Sequence, residues 1–220
     1  MFRHRHQGFW LALIAAFFLT ICVPCILNCQ AVGTQDPAKV ASVAYFPPEA
    51  LDGSSGFFYV FLRSVGEPSL LAMMADDPNA TAYRFDWVAG QAGMMLAVRL
   101  SVNSDGSGDA TSVVSGYGKP PVVNRTQHPV SKAYVDKFSE LVAWTDFWST
   151  SHVEKANPDL HGGSNTLDAD TWVLEGVRNS RYRAELRRAP APGRFTDMVH
   201  FLLKDIANLD DSISPQPQSR

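Results

Sequence analysis

The sequence predicts an α+β domain, an antiparallel sheet of about five strands (a meander plus a hairpin) with helices packed on one face. Three observations carry this reading. Tyr83, Phe85 and Trp87 alternate with Arg84 and Asp86, which is the period of a half-buried strand. Residues 131–148 and 194–209 repeat apolar side chains at helical spacing. With 220 residues, 45% hydrophobic and 19% charged, the chain can bury one ordinary core, which excludes a wholly disordered, collagen-like or coiled-coil protein.

Arg3 and Arg5 open the chain, and residues 10–27 then run without a charge, the layout of a secretory signal or, if uncleaved, of a membrane anchor. Cys22, Cys25 and Cys29 fall inside or just after that run, where a redox or zinc site has no folded scaffold. Cleavage after Ala31 leaves a mature chain without cysteine. Lipidation calls for a small residue before the modified cysteine, and here Ile21, Pro24 and Asn28 hold those places. Every fate exports the body to the periplasm or the extracellular space, with the membrane met only through the N-terminal segment. Residues 1–31 therefore read as signal peptide or anchor, 32–56, with Pro37, Pro47, Pro48, Gly53 and Gly56, as a flexible tether, 57–209 as a single domain, and 210–220 as a disordered tail.

Within the domain, Phe58, Phe61, Leu62 and Val65 recur at helical spacing with Gly66 in the place of a C-terminal cap; a buried strand over 57–62 is the alternative. A loop over 90–93 pairs Trp87 with Leu96, Phe85 with Val98 and Tyr83 with Leu100, so apolar meets apolar. A second loop over 105–108 sets Leu100 opposite Val113 and Leu96 opposite Tyr117, leaving Arg99, Ser101 and Ser112 on a wet face. Residues 116–129 read as a Gly/Pro loop, and Ser131 then caps a helix striped by Tyr134, Phe138, Leu141, Val142, Thr145 and Trp148. The last hairpin is expected to turn through three residues, 178–180, with Asn179 left-handed, Trp172 opposite Leu186, Glu175 opposite Arg183, and the Tyr182 ring over Gly176. A two-residue turn would pair Trp172 with Arg187.

The strand 83–87, the helix ending Asp146-Phe147-Trp148, and the run from Asp170 through Trp172 and Glu175 to Gly176, followed by Arg181 and Tyr182, resemble the landmarks of a group of uncharacterised bacterial exported proteins and lipoproteins. The resemblance spans residues 57–209 and rests on the order of pattern elements. It implies bacterial origin, export and one α+β domain, and carries no activity. The poor lipid-attachment pattern departs from the lipoproteins of that group.

A metal site would draw on His152, Asp159, His161, Asp168 and Asp170, but their spacing matches no ligand pattern and suits solvated turns. Glu175 with Asp86 is the one candidate acid/base pair, and the expected register makes Glu175 instead an exposed partner of Arg183. No nucleophile elbow or phosphate loop is present in the sequence. Arg178, Arg181, Arg183 and Arg187, with Arg188, gather on one hairpin as a candidate partner surface for anions. Trp144, Phe147 and Trp148 exceed what one helix stripe needs. A net charge of -3 argues against nucleic acid. The expectation is a non-enzymatic exported module that binds an unidentified envelope component through an open sheet face or the basic hairpin, with no cofactor and no catalytic residue. The alternative is a small metal-dependent or acid/base hydrolase using residues 152–170.

Overall fold

The sheet gains an edge strand that the sequence hides. The computed structural model describes residues 45–48, 50–51, 53–89, 93–116, 123–149, 170–188, 190–210 and 215. Their elements are α1 (Ser55–Ser64), α2 (Leu70–Asp76), β1 (Thr81–Ala89), β2 (Met94–Val102), β3 (Gly108–Gly116), β4 (Val123–Val130), α3 (Lys132–Trp144), β5 (Thr171–Arg178), β6 (Arg181–Arg188) and α4 (Arg194–Phe201), which continues as a π-helical turn over Leu202–Ile206. One antiparallel sheet of six strands runs in the order β4-β3-β2-β1-β5-β6, so the α+β class holds with one strand more than expected. The addition is β4, in the stretch read as a loop. It is an edge strand, largely exposed and polar, so it lacks apolar alternation, and Pro129 is tolerated there because one side of an edge strand needs no ladder donor.

The β1–β2 register is the expected one, Trp87 opposite Leu96 and Tyr83 opposite Leu100. The β2–β3 register is not. Leu100 faces Ala110 and Leu96 faces Val114, because the turn is centred on Asp105, earlier than expected, with the Asn103 amide donating to the Ser107 carbonyl at 2.8 Å and Gly106 at φ 85°. That slip is an odd number of residues, so it moves Val113 to the opposite face of the sheet.

The first face bears Tyr83, Phe85, Leu96, Val98, Leu100, Trp172 and Leu174 under α3 and α4, whose Val135, Phe138, Val142, Phe195, Met198 and Val199 complete the core. These are the two helices expected to share a face. The second face, expected to be wet, is covered. Phe58, Phe61 and Leu62 of α1 pack on Ala97, Val113, Val173 and Leu186, and Leu70 of α2 packs on Ala82 and Val177. The apolar periodicity after Phe57 is therefore that of a helix, with Gly66 at φ 69° just past its end. Two parts expected to lie outside the core also contribute to it. Phe46 and Leu51, in the stretch read as a tether, are fully buried, and in the tail Pro215 is buried with its carbonyl 3.3 Å from His200 Nε2. Ala38–Arg220 is one compact unit, closed by its own residues from Phe46 to Ala207, as independent folding requires. Among the described residues no helix is long and apolar enough to cross a membrane.

Candidate functional site

The last hairpin decides which polar side chains meet. Asn179 and Ser180 both adopt positive φ (51° and 56°), making a two-residue turn whose twist matches the strands, so Trp172 faces Arg187, Leu174 faces Glu185 and Glu175 faces Ala184. The three-residue turn expected from apolar matching is thus corrected, although Asn179 is left-handed as foreseen. Apolar matching misleads here because both faces of the sheet carry helices, so the face that holds Trp172 and Leu174 is not the only one that buries apolar residues. Gly176 is shielded by Phe147 and Trp148, whose rings come within 3.0 Å of where a Cβ would sit, and not by Tyr182, which lies opposite Val177 on the other face.

Glu175 is accordingly no exposed partner of Arg183. It is fully buried on the second face, where Arg84 donates from Nε at 3.0 Å and from Nη2 to its Oε1, and Tyr182 donates to its Oε2 at 2.9 Å. Arg84 Nη1 reaches the Pro68 carbonyl at 2.6 Å. Asp86 shares this buried site with Oδ2 3.4 Å from Arg84 Nε, and neither of its oxygens accepts a hydrogen bond among the described residues. The candidate acid/base pair is therefore brought together, but both carboxylates are sealed at zero exposure beneath α1, α2 and the strap 65–69 that joins them. Burial pushes the Asp86 carboxyl well above the usual range, Arg84 opposes this, and the neighbouring Glu175 reinforces it. For Arg84, burial disfavours the charged form, but the Glu175 and Asp86 carboxylates outweigh it and raise the guanidinium pKa. Burial, with Glu175 adding to it, holds the Tyr182 phenol well above its ordinary value.

Two more arginines fasten the same strap. Buried Glu67 accepts from Arg99 Nε at 2.9 Å and from Arg125 Nη1 at 2.8 Å, Arg125 also donates to the Val65 carbonyl, and Tyr45 donates to the Glu67 carbonyl at 2.8 Å. Three strands thus each contribute an arginine to one connection. Chemically the cluster clamps the α1–α2 layer to the sheet. Sequence reasoning missed Glu67, Arg125 and the role of Arg99. The signal was present in the charges of three strands on one face, matched to an aromatic helix that needs a sheet face to cover.

The candidate partner surface stands differently. Arg178, Arg181, Arg183 and Arg187 share the first face at the β6 edge because of the two-residue turn. Three of them lie on aromatic rings: Arg181 over Trp148 at 5.7 Å, Arg183 over Phe147 at 5.4 Å, and Arg187 over Phe195 at 4.2 Å. Arg194 extends the row over Trp144 at 4.7 Å. The aromatic residues in excess of the helix stripe are these platforms, and α3 ends at Trp144, short of the expected 148. Arg181 also donates to the Trp148 carbonyl at 2.7 Å, and Arg187 pairs with Glu185. Arg178, Arg181, Arg194 and Trp144 are exposed.

Of the metal candidates, His152, His161 and Asp168, with Asp159, lie outside the described residues, as do residues 10–27 and the three cysteines. Asp170 is half-buried just before β5. Among the described residues no three His, Cys, Asp or Glu side chains are placed to hold a metal ion. No protein-family model matches the chain, and no curated protein does.

Proposed function

We propose that the protein is a non-enzymatic exported module of the bacterial cell envelope, which binds an anionic partner through the arginine row of β5, β6 and α4. The observation that carries this reading is the hairpin tip, where Arg178 and Arg181 stand directly opposite on one face. Like charges so placed cost a hairpin roughly 0.2–1 kcal/mol, a cost that a bound anion removes. Behind that pair, Arg183, Arg187 and Arg194 are steadied on rings, which limits the rotamer entropy lost when a guanidinium engages carboxylate or phosphate. Support for export comes from the basic, then uncharged, start of the chain and from the resemblance to bacterial exported proteins. The test is retention of the chain on immobilised poly-L-glutamate. The wild-type chain is expected to be retained and Arg178→Glu with Arg194→Glu to flow through. Equal retention of the two, or no binding of the wild type to polyglutamate or to any other polyanionic surface, overturns the reading.

A further inference from the structure

We infer that the anionic partner is a lipid surface, and that the arginine row lays this edge of the domain against acidic headgroups. The inference rests on the anionic-partner reading and adds the class of partner. Along β6 the row runs from Arg181 through Arg183 to Arg187, and Arg194 continues it on α4. At about 3.4 Å per residue the six steps from Arg181 to Arg187 spread those charges over roughly 20 Å, more than one small anion can cover. An extended polyanionic surface can. The second property is aromatic: Trp144 is 48% exposed and carries Arg194 on its ring, and Trp148 carries Arg181. Indole and guanidinium side by side suit the headgroup layer, where an apolar ring and a polar tip are both satisfied. A protein interface also uses arginine and tryptophan, so the lipid assignment rests on the length of the row and on the start of the chain. The third is the uncharged run 10–27 of the same chain, which, if it is retained as an anchor and not cleaved as a signal, holds the domain beside a membrane. Glu185 is the acid on β6 within the row, buried and paired with Arg187, while the exposed acids beside the row in sequence are Asp146 and Asp197.

The experiment uses the unit Ala38–Arg220, without the apolar run that would itself enter lipid. Its binding is measured by co-sedimentation with vesicles of phosphatidylcholine alone and with about a third phosphatidylglycerol, and to soluble poly-L-glutamate. Each basic residue near an anionic surface contributes about fivefold to partitioning, so Arg178→Glu with Arg194→Glu should lose at least about 25-fold on the acidic vesicles. Both side chains are exposed, and an unchanged or raised melting temperature shows that the variant is folded; if it is not, Arg178→Gln with Arg194→Gln replaces it. Trp144→Ala should weaken vesicle binding by more than it weakens poly-L-glutamate binding, where only the steadying of Arg194 is lost. Binding to poly-L-glutamate without preference for acidic vesicles overturns the lipid inference and leaves the anionic-partner reading standing. Binding to neither overturns both. Equal binding of the variant and the wild type to acidic vesicles places the contact elsewhere and overturns the inference.

Discussion

Replacing Glu175 with Gln keeps the shape of the buried cluster and removes its main negative charge. Glu175 receives two hydrogen bonds from Arg84 and one from Tyr182, with no solvent exposure for either charged group. Breaking such a pair by removing one member costs about 3–5 kcal/mol, because the remaining ion stays buried. Asp86 reduces this figure. Its Oδ2 lies 3.4 Å from Arg84 Nε, so in the variant it can ionise and serve as the counter-ion. The expected loss for Glu175→Gln is therefore about 3 kcal/mol, and Asp86→Asn alone should change stability by no more than about 1 kcal/mol at neutral pH. Together they leave Arg84 without a carboxylate from β1 or β5, so the double variant should exceed the sum of the two by at least about 1 kcal/mol. Urea denaturation of all four proteins, followed by tryptophan fluorescence, gives the cycle. A cost below about 1 kcal/mol for Glu175→Gln, or additivity of the two changes, would refute a shared buried cation and return Glu175 to the exposed position that apolar matching suggests.

Two further outcomes follow from the same geometry. Because the folded state holds the Asp86 proton more tightly than the unfolded chain does, its contribution falls as pH rises above about 4 and levels off above the folded-state value. Paired urea denaturations between about pH 5 and about pH 8 should thus show Asp86→Asn gaining on the wild type with rising pH; a constant difference contradicts a raised carboxyl. Gly176→Ala places a methyl group 3.0 Å from the Phe147 and Trp148 rings and should destabilise by about 1–3 kcal/mol, whereas no effect on the melting temperature would show that those rings do not lie over β5.

What was legible in the sequence was whatever one period could express. Tyr83, Phe85 and Trp87 opposite Leu100, Val98 and Leu96 fixed a register because both strands carry apolar residues on the same face. A polar face is not thereby a wet one. Arg84, Asp86, Arg99 and Glu175 look like solvent-facing residues when each strand is taken singly, yet they are buried or nearly so because their charges answer one another and the strap 65–69. Local periodicity contains no statement about such a match across strands. The same assumption chose the wrong turn for β5–β6, since matching Leu186 to Trp172 is rewarded only if the other face is open. The basic hairpin was legible as composition; its placement on one face depended on that turn, and its aromatic supports come from residues 144–148 and Phe195, distant in sequence.

The role of the arginine row is tested most directly by the salt dependence of binding to acidic vesicles. Guanidinium contacts with headgroups at an exposed edge are screened as the Debye length shortens from about 10 Å at 0.1 M salt to about 3 Å at 1 M. The affinity of the wild-type unit for phosphatidylglycerol vesicles should fall by at least about tenfold over that range, while the weak residual binding of the variant with Arg178→Glu and Arg194→Glu stays nearly flat. Wild-type affinity that does not change with salt, or a variant whose affinity falls in parallel with it, would contradict the assignment of binding to these arginines.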